Sequence, residues 1–554
     1  MITTLVGGSV FDPANGLAGE TRDLVIADEQ MAAATPGAKA DRRYDLSGLV
    51  VMPGAIDIHS HIAGGKVNLA RLMMSEEHRE SVTARGAATR SGSGVASPSS
   101  FITGYRYAEL GYTAAFEPAM VPSNARGAHL EMADVPMIDK GAYLMLGNDE
   151  LLLRFIAGGA EQERINDYVA WMLNATAALG VKTVNPGGIS AFKFNARDLA
   201  IDAAGPRHGV TPRQVLHALS RAVFELGVPH PLHVHCNQLG VPGNIETTLA
   251  TIAASEGFPL HLTHAQFHSY GREGDRRFSS AAALLAEAVN RNQHVTLDVG
   301  QILFGQTVTA SGDTMAQYRN RTFAKPDKWM IMDIECDGGC GLVPFRYRDQ
   351  NFVNALQWAI GLELFLLIED PWRVFLTTDH PNGAPFTGYP HLIRLLMDRS
   401  FRNDCLKAIH PAAQQATVLG SINREYTLAE IAITTRAAPA RILGLTGRGQ
   451  LGPGAAADIA VYQPAADRER MFAAPRHVFK NGVEIVRDGA ILATPAGATH
   501  VVRPAFDPAI EGEIRRFFDD HMSVRLEHFR LSENELADAG LRLMAEACRP
   551  RSRA

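Results

Sequence analysis

The chain has 554 residues, so we expect a large catalytic domain with smaller parts attached. Charged residues make up 20% and the formal net charge is -6. Lysine and arginine are spread along the chain, which argues against a nucleic-acid partner. Five cysteines are a sparse, odd set that does not resemble a secreted disulfide framework, so a cytoplasmic location fits best. We expect neither a signal peptide nor a membrane span, because the most apolar helical stretch, residues 355–367, is short and contains Glu363.

Short strands are predicted at both ends of the chain. Residues 5–10 and 23–26 flank a turn, and residues 458–462 and 477–486 include Asn481 and Gly482 as a hairpin signal. We expect these two strand-rich pieces to pack together as one small β domain. The predicted parts are a first β-sandwich segment at 1–52, a hydrolase barrel at 53–430, a second sandwich segment at 431–500 and a mostly helical appendage at 501–554.

The middle of the chain alternates apolar strand-like runs with helical patterns, which is typical of a parallel α/β sheet covered by helices. Eight strands are predicted, which favours a closed (β/α)8 barrel with its reacting groups at the C-terminal ends of the strands. An open doubly wound sheet would require a Gly-rich turn after its first strand, where this chain has His-Ser-His. The predicted strands are 55–61, 111–116, 142–146, 180–184, 232–235, 260–264, 295–299 and 374–378.

His59 and His61 are the first candidate metal ligands. Side chains alternate between the two faces of a strand, so Asp57, His59 and His61 would share one face and the two imidazoles would converge. A lone His-x-His pair is more often two ordinary histidines. The preceding apolar run at 49–52 and the partners later in the chain favour a metal site.

Lys182 lies on the predicted fourth strand. A two-metal hydrolytic site needs an anionic ligand that holds the two ions about 3.5–4 Å apart. It also needs a bridging hydroxide, formed from a bound water whose pKa has fallen to about 7. A carboxylate, or a lysine carbamate made with CO2, would serve, and carbamylation would turn a costly buried cation into an anion. The ordinary alternative is that Lys182 is a strand lysine whose ammonium group extends to solvent. Lys193 is the other lysine that could be the ligand.

His235 and His264 are the preferred ligands from the fifth and sixth strands. Each lies nearer the C-terminal end of its strand than the alternative histidine, His233 or His261. The alternatives share a strand face with them and would be supporting or substrate-contacting residues.

Asp379 ends the predicted eighth strand. An aspartate there would bind one metal ion, accept a proton and deliver it to a leaving nitrogen. The residue alone fits a turn or capping aspartate equally well. The order His-x-His, Lys, His, His, Asp across strands one, four, five, six and eight is the specific signal.

That order resembles the amidohydrolase superfamily, metal-dependent hydrolases with a (β/α)8 barrel beside a small β-sandwich made from both chain ends. Residues 437–445 and 449–461 resemble the end of such chains. Within the superfamily, four longer strings resemble the A subunits of formylmethanofuran dehydrogenase and of the bacterial formyltransferase/hydrolase complex, and the similarity extends over nearly the whole chain. These strings are residues 103–113, 184–188, 235–240 and 378–383.

The resemblance implies a binuclear zinc hydrolase that interconverts an N-formyl aminomethylfuran coenzyme, of the methanofuran or methylofuran type, with formate and the free amine. It also implies that the partners are the other subunits of such a complex and the formyl-furan coenzyme. Asn237, in one of the matching strings, is a candidate coenzyme contact. Cys336 and Cys340 have no assigned role; two glycines between them favour a turn. The implied zinc ligands are His59, His61, Lys182 as N6-carboxylysine, His235, His264 and Asp379, with Asp379 also catalytic.

These residues do not decide the direction of the reaction, because one site catalyses both directions. High alanine and arginine usage with little lysine favours a bacterial one-carbon-oxidising context, and hence hydrolysis. The alternatives are formate condensation in a formylmethanofuran dehydrogenase, a generic cyclic amidase, and a metal-free scaffold protein within the complex.

Overall fold

The computed structural model describes residues 1–33, 40–79, 81–187, 200–311, 330–332 and 340–552. A curled sheet of seven parallel strands forms its centre, and the strands follow one another in space in the order of the sequence. They are Glu117–Met120, Ala142–Met145, Gly180–Val184, Leu232–His235, Leu260–Leu262, Val295–Asp298 and Val374–Phe375. The central fold is therefore α/β with a parallel sheet, as predicted.

A separate parallel pair, Ala55–Asp57 and Tyr112–Ala115, lies next to this sheet. Only Phe116 separates the second of these strands from Glu117–Met120. Beyond the first strand, the amide of Ser60 donates to the carbonyl of Phe116 (3.0 Å) and the amide of His61 donates to the carbonyl of His380 (2.8 Å). The segment after Ala55–Asp57 thus contacts the chain beyond both edges of the seven-stranded sheet.

Several strands are shorter than predicted. The first ends at Asp57, the sixth at Leu262 and the eighth at Phe375, rather than at residues 61, 264 and 378. The prediction that a continuous strand carries Asp57, His59 and His61 on one face is therefore wrong. Beyond these strands the backbone turns, with φ of 35° at His264 and 52° at Asp379.

Strands from both chain ends form one nine-stranded sheet. The predicted hairpins are present at both ends, and Val50–Pro53 pairs with Ile459–Tyr462 where the two ends meet. A sandwich would need a second sheet facing this one, and that part stays a prediction. The nine strands are Ile2–Asp12, Leu17–Ala27, Gln30–Ala32, Arg42–Asp45, Val50–Pro53, Ile459–Tyr462, His477–Lys480, Val483–Arg487 and Ala490–Ile491.

Smaller sheets complete the strand structure. Gly305–Ser311, Met330–Met332 and Cys340–Tyr347 form a three-stranded sheet that follows the strand Val295–Asp298 in the chain, and Tyr270–Gly271 pairs with Ser279–Ser280. The C-terminal part is not entirely helical, because Arg542–Glu546 pairs in parallel with Ala498–Val502. The alternatives that involve Lys193 and Cys336 lie outside the described residues.

Helices cover the parallel sheet, and side chains at their first turns explain several of their starts. Thr211 and Gln214 form a reciprocal capping box at Pro212–Glu225, and Asn351 caps Phe352–Leu367. None of the helices in the described parts of the chain combines the length and apolar composition that a bilayer crossing requires. The α-helices among the described residues are Gly65–Met73, Ser100–Glu109, Ala125–Ala133, Glu150–Ala157, Gln162–Ala175, Pro212–Glu225, Ile245–Ala254, Ala282–Arg291, Phe352–Leu367, Tyr389–Met397, Arg399–Ala408, Pro411–Gln415, Leu428–Ala432, Ala438–Leu443, Arg468–Ala473, Glu511–His521, Leu526–Phe529 and Glu533–Asp538.

Candidate metal centre

A cavity of about 150 Å³ lies at the C-terminal ends of the parallel strands. It is lined by five of the six predicted ligands, namely His61, Lys182, His235, His264 and Asp379. The sixth, His59, is fully buried next to them. Residues from five distant parts of the chain therefore meet at the edge of the sheet where catalytic groups of parallel α/β enzymes lie.

His59, His61 and Asp379 form the first group of candidate ligands. His59 Nε2 lies 2.9 Å, and His61 Nε2 3.4 Å, from the same atom, Asp379 Oδ1. The potential ligand atoms of the three residues all lie within 4.8 Å of one another. Asn382 Nδ2 also donates to Asp379 Oδ1 at 2.9 Å and so orients the carboxylate.

His235, His264 and His268 form a second group, with ligand-capable nitrogens within the same 4.8 Å. The His235 and His264 rings are nearly perpendicular, with centroids 4.5 Å apart. Nδ1 of His264 has no hydrogen-bond partner among the described residues, although it is buried. His268 was not predicted; it lies past the end of the sixth strand, in the short 3-10 helix Ala265–His268, where strand patterns give no signal.

Lys182 lies on the strand between these two groups and is 2% exposed. Burial lowers the pKa of its amine to about 8, and the nearby carboxylate of Asp379 only partly opposes this shift. The fold therefore makes the neutral amine of Lys182 more accessible than that of an exposed lysine. Asn237 is buried too but does not line the cavity, so its coenzyme contact stays a prediction.

Two carboxylates that were not predicted from the sequence hold the outer nitrogens of the first histidine pair. Asp298 Oδ2 lies 3.0 Å from His59 Nδ1, and Glu117 Oε1 lies 3.1 Å from His61 Nδ1. Each is a buried carboxylate next to the other nitrogen of a candidate ligand imidazole, an arrangement that fixes ring orientation in metal sites. Asp298 could have been recognised from the sequence, because it ends the apolar strand Val295–Asp298. Asp379 likewise follows an apolar strand.

His233 and His261, the alternative ligands, lie beneath the cavity rather than on its wall. His233 Nε2 is 3.0 Å from His59 Nδ1, and His261 Nε2 is 3.2 Å from Asp298 Oδ2. Burial acts to raise the pKa of Asp298, but His59 and His261 more than offset it, so this pKa is below its ordinary value. The geometry places His235 and His264 at the cavity and gives His233 and His261 a supporting position.

The predicted ligands around this cavity offer imidazole nitrogens, one carboxylate and one lysine that could become a carbamate. Zinc takes nitrogen and oxygen ligands of these kinds in tetrahedral sites. Nδ1 of His264 is buried without a hydrogen-bond partner among the described residues, so its lone pair is available to an ion. The residues therefore fit a pair of divalent ions of the zinc class.

A parallel α/β fold with this histidine, lysine and aspartate order defines a class of hydrolases. The sequence profile of the amidohydrolase family matches residues 42–492, so the chain belongs to the amidohydrolase family. The resemblance to this family is thereby confirmed.

The similarity to individual proteins is higher still. The chain is 42% identical over 540 residues to the A subunit of the formyltransferase/hydrolase complex Fhc of Methylorubrum extorquens, covering 96% of this chain and 97% of that protein. It is 38% identical over 550 residues to the protein FwdA of Methanocaldococcus jannaschii, covering 95% and 96%. A crystal structure of the formyltransferase/hydrolase complex (FhcABCD) from Methylorubrum extorquens with methylofuran superposes with a TM-score of 0.94 at 40% identity, covering 99% of this chain and 100% of that chain. The closer resemblance to these A subunits is confirmed as well.

Proposed function

We propose that the chain hydrolyses the formyl amide of an N-formyl aminomethylfuran coenzyme to formate and the free amine, in one-carbon oxidation. The observation that carries this proposal is the meeting of the predicted ligands at one cavity in a chain 42% identical to the A subunit of Fhc over 96% of its length. The chain would act with the other subunits of a formyltransferase/hydrolase complex, and the methylofuran in the related crystal structure supports a furan coenzyme as substrate.

His59, His61 and Asp379 would hold one zinc ion, and His235 and His264 the other. Lys182, carboxylated on its buried amine by CO2, would supply an oxygen to each. A zinc pair held there would polarise the formyl carbonyl and provide a hydroxide nucleophile at neutral pH.

Asp379 would move the proton that amide cleavage needs. An amide nitrogen leaves poorly as an anion, so a proton has to reach it as the C–N bond breaks. The carboxylate of Asp379 takes the proton of the nucleophile and delivers it to that nitrogen. Asn382 holds the carboxylate in place through its Nδ2 donor (2.9 Å).

We also propose that the parallel strands close into a (β/α)8 barrel, with the nine-stranded sheet as part of a composite β-sandwich. The amides of Ser60 and His61, which donate to Phe116 and His380, support closure at the first strand. The domain limits proposed from the sequence, 1–52, 53–430, 431–500 and 501–554, are kept.

The test is formate release from the N-formyl furan coenzyme by the purified complex. We expect Asp379→Asn to lower the rate by about 10²–10⁴-fold, because it removes the proton carrier. The control is Asp404→Asn, since Asp404 is an exposed residue paired with Lys407, and it should leave the rate unchanged. Equal rates for Asp379→Asn and the wild type would contradict the proton-transfer role.

The alternatives give different results with the same preparations. Formate condensation without net hydrolysis would indicate the dehydrogenase direction, which the 38% identity to FwdA keeps open. Turnover of a hydantoin or dihydroorotate by the chain without partner subunits would favour a cyclic amidase. Metal analysis separates enzyme from scaffold: we expect about two zinc ions per chain, as in two-metal hydrolases.

A further inference from the structure

His268 is a buried histidine that the proposed mechanism does not use. It ends the short 3-10 helix Ala265–His268 and is 1% exposed. Its ring centroid lies 5.3 Å from that of His235 and 5.2 Å from that of His264. It therefore lies beside both histidines assigned to the second zinc ion.

Both ring nitrogens of His268 are buried without a hydrogen-bond partner among the described residues. Other buried histidines nearby have at least one paired ring nitrogen. His230 Nε2 lies 3.0 Å from His233 Nδ1, and His261 Nδ1 lies 2.9 Å from Thr296 Oγ1. Buried polar groups nearly always have partners, so an imidazole with two unpaired nitrogens calls for a ligand.

The turn that carries His268 is held from outside the cavity. Thr248 Oγ1 donates to the carbonyl of His268 (2.8 Å), and Asn244 Nδ2 donates to the carbonyl of Phe267 (2.7 Å). Phe267 lines the cavity whereas His268 does not. The imidazole is thus placed by a fixed turn, next to the candidate ligands and away from the space left for substrate.

We propose that His268 is a third histidine ligand, so that His235, His264 and His268 together hold one divalent ion of the zinc class. Three imidazoles and one open position make a known zinc donor set. The proposal rests on the metal centre proposed above and goes beyond it in one respect. The ion at this position stays bound when Lys182 is not carboxylated.

The first test measures metal affinity of the full chain by competition with a chelator. We expect Lys182→Ala to retain about one zinc ion per chain, because three histidine ligands remain. Adding His268→Gln to that variant should weaken the remaining site by at least about tenfold. Unchanged affinity in the double variant would overturn the proposal. His129→Gln is the control, because His129 is fully buried elsewhere and bonded to the carbonyl of Thr176 (3.0 Å).

The second test uses a replacement that can still bind metal. His268→Cys, loaded with Co2+, should show a thiolate-to-cobalt charge-transfer band in the near ultraviolet, because thiolates ligate such ions directly. His129→Cys should show none. A normally folded His268→Cys chain that binds Co2+ without the band would overturn the proposal.

The two proposals fail in different ways. Formate release by the wild-type complex together with unaltered metal affinity in His268→Gln would overturn the three-histidine site alone. A full chain that binds no divalent ion would overturn the proposed hydrolase as well.

Discussion

The two histidines of the His-x-His pair are each held between a carboxylate and the cavity. Asp298 contacts Nδ1 of His59, and Glu117 contacts Nδ1 of His61. The backbone amides of Ile62 and Ala63 also donate to Glu117, at 2.8 and 3.1 Å, so this carboxylate is fixed by the loop it orients. Both imidazoles consequently present Nε2 toward Asp379, the orientation that the proposed metal ion would require.

Asp298→Asn tests this arrangement. The amide keeps the shape of the side chain but removes the negative charge beside His59 Nδ1, so we expect metal affinity to fall by about 10–100-fold. Chelator competition on the full chain measures it. Glu363→Gln is the matched control, because Glu363 is a buried carboxylate far along the chain that accepts from the amide of Val418 (2.8 Å). Equal losses in both variants would indicate general destabilisation instead.

Gly300 makes room for His264. Its φ is +62°, and a Cβ there would lie 2.7 Å from the Cα of His264. We therefore expect Gly300→Ala to lower the free energy of unfolding by about 2–4 kcal/mol, from crowding added to backbone strain. Gly274→Ala is the control, because Gly274 has a similar φ of +76° and open space around it, and strain alone costs about 1 kcal/mol. Urea unfolding compares them; equal losses would contradict the crowding.

The sequence predicted the residues that line the cavity better than the carboxylates that contact them from behind. His235, Lys182 and Asp379 each end or follow an apolar run, a position visible in a single segment. Glu117 and Asp298 matter because they lie across from histidines on another segment, and a linear pattern does not show such pairs. The register between the strands, set by packing of the whole sheet, decides them.

At the scale of elements, the strands end earlier than their apolar patterns do. Residues 263 and 264 were predicted to continue the strand Leu260–Leu262. The strand stops before them because the chain turns at His264. The amide of His264 then donates to Asp298 Oδ1 (2.7 Å) instead of pairing along the sheet. Apolar patterns located the central strands except Glu117–Met120, which lies just beyond the predicted strand 111–116. Side-chain partners from other segments set where several of these strands end.

A buried glutamate holds the long connection after the first strand. Glu77 is 4% exposed and accepts from the amides of Val95 (2.9 Å), Ala96 (2.9 Å) and Ser97 (2.8 Å). We expect Glu77→Gln to cost about 1–3 kcal/mol, because an uncharged amide accepts these bonds less well. Hydrogen exchange should rise at residues 95–97, and Glu163→Gln on an exposed helix surface should leave it unchanged. Unaltered exchange at 95–97 would contradict this role.

At the scale of the whole molecule, a buried charge cluster joins the parallel sheet to the nine-stranded sheet. Lys480 Nζ lies 2.8 Å from Asp139 and 2.7 Å from Asp458, and Arg448 Nε lies 2.5 Å from Asp139. Asp139 precedes a central strand, whereas Lys480 ends a strand of the terminal sheet. Separating the sheets would leave buried charges unpaired, so the cluster fixes how the terminal sheet sits on the catalytic part.

Many buried histidines of the described residues are held in the neutral form, which makes the whole chain sensitive to acid. Burial lowers the pKa of His129 to about 4 and that of His380 to about 3. Burial likewise lowers the pKa values of His230, His233, His261, His264 and His268. At pH values below the ordinary histidine pKa, these histidines bind protons in the unfolded chain but not in the folded chain. The free energy of unfolding therefore falls as the pH falls.

His129 isolates one such contribution away from the metal centre. Its stabilising effect is complete above the unfolded pKa and declines as the pH falls toward the folded value of about 4. Between about pH 7.5 and about pH 5, we expect the wild type to lose about 2 kcal/mol more than His129→Gln, from about 1.4 kcal/mol per pKa unit. Urea unfolding at both pH values measures the difference, and His78→Gln, at an exposed histidine, should match the wild type. A His129→Gln chain with the same pH dependence as the wild type would mean that folding does not lower the pKa of His129.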